Sequence, residues 1–171
     1  MPVFILMRHA KAVRDHEAAS DRARGLTARG RREALLAAGA MREQGLVPTV
    51  VQASNAVRTV ETAVIAGGDI APDAAPAYDD DLYLADPQTI WAAADHAAPV
   101  AAACVLMVGH NPGMHELVAT LIERSGDRSA LARAFLGDMP TASWVAFEVE
   151  GGDLESTSSR FIGAWSPPRD A

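Results

Sequence analysis

The chain has 171 residues, 49% of them apolar and 22% charged, a composition that excludes a disordered segment and supplies one domain with its own core. Fifteen Lys and Arg against 22 Asp and Glu leave a formal charge of −7, which argues against nucleic acid or an acidic membrane as the main partner. A single cysteine, Cys104, excludes an internal disulfide and any multi-thiolate zinc site.

In chain order, Val3–Met7 is a short continuous apolar run that reads as a buried parallel strand. It is too short for a secretory signal or a membrane span, and no later run reaches about 18 apolar residues. The expectation is therefore a soluble, cytoplasmic protein. Thr27 to about Gln44 reads as a helix capped by Thr27, with Gly45 as its stop and Pro48 beyond. Thr49–Ala53 is a second strand, and Asn55 to Ala66 a second helix ending at Gly67-Gly68. Asp86-Pro87 pairs a cap with a first-turn proline and opens a helix that stops before Pro99. Cys104–Val108 is a third buried strand, and Asn111-Pro112 repeats the cap–proline start for a helix reaching toward Gly126.

After Pro140 the pattern turns β-like: Ser143–Val149, a turn at Gly151-Gly152, and Arg160–Trp165 returning, with a loose tail over 166–171. Strand–helix alternation with right-handed crossovers implies a three-layer α/β/α domain over residues 1–171. Its central sheet should be mostly parallel, with an antiparallel C-terminal hairpin at the edge. Residues 10–26 and 67–85 form connections too long to be plain turns, the usual mark of functional loops.

In an open α/β sheet, ligands bind beyond the carboxyl ends of the strands. Arg8-His9 follows the first strand. Ser54 follows the second, with Arg58 one turn into the next helix, and Gly109-His110-Asn111 follows the third. Two histidines and two arginines thus gather beside two helix N-termini, a local positive site on an acidic chain. Phosphate is the expected occupant, because arginine forks match its oxygens. One imidazole can attack phosphorus in line while the arginines neutralise the equatorial oxygens, and the other can hydrogen-bond them. The attacking ring must be held in one tautomer, ordinarily by its second nitrogen donating to a backbone carbonyl. Ser54 is a further candidate phosphate contact.

The stretches Leu6-Met7-Arg8-His9-Ala10-Lys11-Ala12, Arg24-Gly25-Leu26-Thr27-Ala28-Arg29-Gly30, Ala53-Ser54-Asn55-Ala56-Val57-Arg58 and Val108-Gly109-His110-Asn111-Pro112-Gly113 resemble the histidine phosphatase (phosphoglycerate mutase-like) superfamily. Within it, the chain is most similar to the small SixA-type phosphohistidine phosphatases, in order over residues 3 to about 165. Asp81-Leu82-Tyr83 and Pro140-Thr141-Ala142 also resemble that branch. The resemblance implies that His9 becomes phosphohistidine, that Arg8 and Arg58 clamp the phosphoryl group, and that His110 completes the pocket. It also matches Arg24 to the arginine preceding the Leu-Thr opening of the first helix, and it calls for no metal or other cofactor. Two positions depart from the superfamily: Ala10 stands where glycine is usual after Arg-His, and Asn55 where proline is usual after Ser54.

The leaving group separates the substrate classes. Many phosphoester-cleaving members carry a glutamate acid in the middle connection. Residues 67–85 offer only Asp69, Asp73 and Asp79-Asp80-Asp81, among which Asp81 is the candidate proton donor. An alkoxide needs a positioned acid, whereas imidazole, with a pKa of about 6.5, leaves far more easily. The preferred expectation is a phosphatase acting on phosphohistidine carried by a protein partner. The alternatives are a small-molecule phosphoester hydrolase with the same site, a non-catalytic phosphate-binding module, and a metal hydrolase using His110, His115 and Glu116. The last lacks any i, i+4 histidine pair. His16, His96 and His115 are expected to be structural or solvent-facing, and Cys104 to lie in the core. A cysteine-dependent phosphatase would need arginine six positions after Cys104, where His110 stands.

Overall fold

The computed structural model describes residues 1–98 and 103–169. The expected helix stop at Pro99 and the last two tail residues lie outside the described residues. The elements are β1 (Val3–Arg8), α1 (Ala28–Glu43), β2 (Val50–Ser54), α2 (Val57–Ile70), β3 (Ala77–Asp79), α3 (Pro87–His96), β4 (Cys104–Gly109), α4 (Gly113–Ser125), α5 (Ala130–Gly137), β5 (Trp144–Val149) and β6 (Ser159–Trp165). Single 3-10 turns lie at Asp15–Glu17 and Asp80–Leu82.

The six strands form one sheet in the order β3-β2-β4-β1-β5-β6. β1, β2, β3 and β4 pair in parallel, and β5 and β6 continue the sheet through antiparallel pairings. The pleat sends alternate residues to opposite faces. Phe4, Leu6, Val105 and Met107 join a core with residues of α3, α4 and α5. Ile5, Met7, Leu106 and Val108 join a second core with α1 and α2. Two-sided burial is why β1 and β4 read as unbroken apolar runs. The expected three-layer arrangement with its antiparallel edge is what folds.

Local chemistry sets several boundaries as anticipated. Thr27 caps α1 by accepting from the Gly30 N–H at 3.0 Å. At the far end Gly45 closes the helix at φ +71°, with Leu46 N–H bonded to Met41 O. Asp86 caps α3 through the Thr89 N–H, with Pro87 in the first turn. Other boundaries differ. α2 runs through Gly67 and Gly68 to Ile70 rather than stopping at them, because Gly67 lets the helix lie against the Val51 methyls, 3.3 Å from where its Cβ would stand. α4 begins at Gly113, and Asn111 does not cap it: its amide donates to Met139 O at 3.1 Å. Gly113 is required there by close approach, since a Cβ would stand 1.9 Å from Ala85 O. The connection over 67–85 contains the end of α2, β3 and a 3-10 turn, and the stretch before Pro140 contains α5, neither strand nor helix having been anticipated.

Candidate active site

β1 and β4 are hydrogen-bonded neighbours in register, Arg8 opposite Gly109, so His9 and His110 leave the same edge of the sheet side by side. The backbone of His9 is fixed on both flanks: its N–H donates to Gly109 O at 3.0 Å, and its carbonyl accepts from Ala142 N–H at 3.1 Å. The ring is buried, and Nδ1 lies 2.8 Å from Ala10 O. A carbonyl can only accept, so Nδ1 carries the proton and Nε2 keeps its lone pair. Burial, the largest effect, pushes the imidazole down to about 3; the hydrogen bond to Ala10 O opposes it, and the neighbouring His110 and the charges of Arg58 and Arg8 add to it. At neutral pH the ring is an uncharged base.

His110 stands with its ring centroid 5.4 Å from that of His9, the planes at 59°. Its Nε2 lies 2.6 Å from Ser54 Oγ, and its Nδ1 3.3 Å from Arg58 Nη2. Desolvation, then Arg58, pushes it down to about 4, with Asp21 opposing. Arg58, though charged, is 2% exposed. It donates through Nη1 to Asp21 O at 2.7 Å and through Nη2 to Asp21 Oδ2 at 3.0 Å. Arg8 donates through Nη1 to Met139 O at 3.0 Å. The Nε–H groups of both arginines are buried without a hydrogen-bond partner among the described residues. Unpaired buried donors are costly, and guanidinium groups are suited to a tetrahedral anion.

Comparison with known proteins fits this geometry. No family model matches the chain. Two Mycobacterium tuberculosis proteins of uncharacterised role, MT1313 and Rv1276c, are each 32% identical to it over 164 residues, covering 94% of this chain and 99% of theirs. A proposed phosphohistidine phosphatase SixA from Nakamurella multipartitia superposes with a TM-score of 0.79 at 28% identity, covering 97% of this chain and 96% of its own. Its counterpart from Agrobacterium tumefaciens gives 0.78 at 25% identity, over 96% and 98%. The chain belongs to the histidine phosphatase superfamily, in its small SixA-type branch. It is a phosphatase of the histidine-phosphatase type. A mycobacterial glucosyl-3-phosphoglycerate phosphatase, Rv2419c, shares the fold at a TM-score of 0.63 and 17% identity, covering 97% of this chain and 99% of its own.

Not every residue singled out in the sequence of this SixA-type chain lies in the histidine–arginine cluster. Arg24 stands one step back. Its guanidinium bonds Asp21 Oδ1 and Val13 O, each at 3.1 Å, and pairs with Asp15 at 3.2 Å, and it is linked to Arg58 through the shared Asp21. Ser54 is completely buried behind His110, its hydroxyl engaged by that ring and by Thr59 Oγ1. It supports the histidine, whereas the sequence suggested a phosphate contact. Asp81 is exposed on a 3-10 turn, its N–H capped by Asp79, and among the described residues no side-chain bond ties it to the cluster. Its neighbour Asp80, also exposed, pairs with Arg22.

Three residues not picked out in the sequence complete the surroundings. Asp21 accepts from Arg58, Arg24 and the Tyr83 hydroxyl. The Tyr83 bond, then Arg58, holds its carboxyl below the usual range against a smaller desolvation effect. Arg22 lies 4.0 Å over the Tyr83 ring and donates to Asn55 at 2.8 Å. Tyr83 meets the His110 ring edge-on at 5.4 Å. The signals available were the length of the 10–26 connection, which carries Asp21 and Arg22, and the position of Tyr83 inside a stretch already similar to the family. Among the described residues, no group of three or more His, Cys, Asp or Glu is arranged to hold a metal ion, and no helix is long and apolar enough to cross a membrane.

Proposed function

We propose that this histidine phosphatase removes phosphoryl groups from phosphohistidine carried on a partner protein, through a phosphorylated His9. The observation that carries the reading is the tautomer of His9. With Nδ1–H bonded to Ala10 O, the Nε2 lone pair is the only nucleophilic electron pair on a ring that burial keeps unprotonated. In the first step Nε2 attacks phosphorus, the P–N bond to the substrate breaks with that ring leaving as neutral imidazole because its other nitrogen carries a proton from solvent, and the phosphoryl group passes to His9. Arg8 and Arg58 neutralise charge on the equatorial oxygens. In the second step water attacks phosphorus, the bond to His9 breaks, and inorganic phosphate leaves.

Preference for phosphohistidine rests on the carboxyls near the site. Asp21 is held ionised by Tyr83 and Arg58, and Asp80 by Arg22 and Asn55, so neither offers a proton to an alkoxide. A phosphohistidine ring that already carries a proton on its free nitrogen leaves as neutral imidazole without a donor from the enzyme. The test is phosphate release, in EDTA, from a phosphohistidine-bearing protein and from a sugar phosphate, by wild type and His9→Ala. The expected result is turnover of the phosphohistidine protein many-fold above the sugar phosphate, and no labelled enzyme or turnover with His9→Ala. Undiminished hydrolysis by His9→Ala would end the proposal. Faster turnover of the sugar phosphate would move the assignment to a small-molecule phosphoester hydrolase, in which Asp81→Asn should matter. In the phosphohistidine reading Asp81→Asn leaves the rate unchanged.

A further inference from the structure

Behind His110 lies a line of hydroxyls whose direction follows from donor and acceptor chemistry alone. A guanidinium has no lone pair, so at 3.3 Å Arg58 Nη2 donates and His110 Nδ1 accepts. The single proton of the neutral ring therefore sits on Nε2 and is donated to Ser54 Oγ at 2.6 Å. The Ser54 hydroxyl in turn donates to Thr59 Oγ1 at 2.6 Å. Thr59 donates its own proton to a backbone carbonyl, Ala56 O at 2.8 Å or Ser54 O at 2.9 Å. Ser54 and Thr59 are 0% exposed and His110 2%. The line ends on a carbonyl, which accepts a hydrogen bond but does not carry a proton onward. The Nε2 proton thus has no exit through the interior.

We propose that Ser54 and Thr59 are positioning residues that tie the Nε2–H of His110 to the protein interior, so that His110 meets a phosphoryl group only through Nδ1 and only by taking up a proton as the group binds. This rests on the cluster being a phosphoryl site, as argued above. An entering dianion draws the Arg58 donors onto its oxygens, which frees the Nδ1 lone pair. Nδ1 then takes one proton from solvent and donates it in a hydrogen bond to a phosphoryl oxygen. When phosphate leaves, that proton returns to solvent and Arg58 recovers its acceptor. Were Ser54 free to turn its hydrogen toward Nε2, the ring could instead bind the anion as the neutral Nδ1–H tautomer with no proton uptake. In wild type the Thr59 acceptor opposes that turn.

The charged and titratable groups facing His110 are Arg8 and His9 at the end of β1, Asp21 and Arg22 in the following connection, Arg58 on α2, and Tyr83. The arginines stay charged, Asp21 is held low, and Tyr83 is held high by Asp21. That leaves the two imidazoles as proton acceptors near neutrality.

The experiment is calorimetric titration with tungstate, a tetrahedral dianion, at pH 7 in buffers of differing ionisation enthalpy, which counts protons taken up per anion bound. Wild type should take up close to one proton, and His9→Ala should do the same, assigning it to His110. Thr59→Val, which removes the acceptor and lets Ser54 turn, should bind tungstate with uptake of well under half a proton, and Thr59→Ser should restore the wild-type count. Wild-type binding without proton uptake overturns the proposal even if no variant folds, as does undiminished uptake in Thr59→Val. Failure of wild type to bind tungstate, or equal binding by Arg58→Ala, would instead remove the phosphoryl site itself. The two failures are thereby distinguishable.

Discussion

Asp21 places a negative charge against the guanidinium that the proposed reaction needs for phosphate. Its backbone and side-chain oxygens take Nη1 and Nη2 of Arg58 while Nε stays unpartnered, so the residue both aims the arginine and competes for its charge. Asparagine at this position would keep the backbone acceptor and one side-chain oxygen but remove the repulsion felt by an entering dianion. Two unit charges a few ångströms apart interact by several kcal/mol at the effective dielectric of a partly buried site, largely offset by solvent and relaxation. Asp21→Asn is expected to tighten inhibition by inorganic phosphate about three- to tenfold. An unchanged or weaker inhibition constant would show that the carboxylate contributes through orientation more than it repels. Neither Asp21 nor Arg22 carried a recognisable signature, because their role depends on a loop folding back across α2, a contact that no local spacing encodes. Arg24 stood out through its place before Leu26-Thr27, yet Asp15, Asp21 and Val13 O hold it. Side-chain partners in a long connection decide such cases.

The elements best anticipated are those whose ends are set by their own residues: α1 by Thr27 and Gly45, α3 by Asp86 and Pro87. Those missed or misplaced depend on neighbours. β3 is three residues long and mostly exposed, so it offers no alternation of polarity, and only the adjacent edge of β2 makes it a strand. α2 continues through a Gly-Gly pair because packing on Val51 outweighs the propensity cost. That pair gives a clean comparison. Gly68 has open space where a Cβ would stand, whereas Gly67 meets two Val51 methyls at 3.3 Å. Gly68→Ala should raise stability by about 0.5–1 kcal/mol through helix propensity, and Gly67→Ala should show less gain or a loss, read as the difference in urea midpoint. Equal gains at both positions would contradict the packing account. Gly113→Ala tests the element that carries His110. Its Cβ would overlap Ala85 O, so α4 must shift and destabilisation of more than about 2 kcal/mol is expected.

At the scale of the whole molecule, the sheet order brings the ends of β1 and β4 together and leaves two neutral imidazoles buried among cations in an acidic protein. The topology was legible because strand–helix alternation leaves few arrangements, and the chemistry because it clusters where such sheets bind ligands. What could not be read from spacing was the depth of burial, and that governs the response to acid. His9 is held down to about 3 and His110 to about 4, whereas an unfolded histidine titrates near 6.5. Below that value the unfolded chain binds protons that the native site refuses, so unfolding becomes easier as pH falls. The contribution of each neutral ring is complete above about pH 6.5 and is lost progressively toward the folded values, at up to about 1.4 kcal/mol per pH unit per histidine. Acidic residues protonating in the same range add their own slope, which a variant can subtract. Replacing both rings, as His9→Gln with His110→Gln, should leave a stability curve between pH 7 and 4.5 that is flatter than wild type by on the order of several kcal/mol, measured by urea unfolding at each pH. Parallel curves would mean that the imidazoles titrate in the folded state as they do in the unfolded chain, and the lowering by burial assigned to both rings would fall.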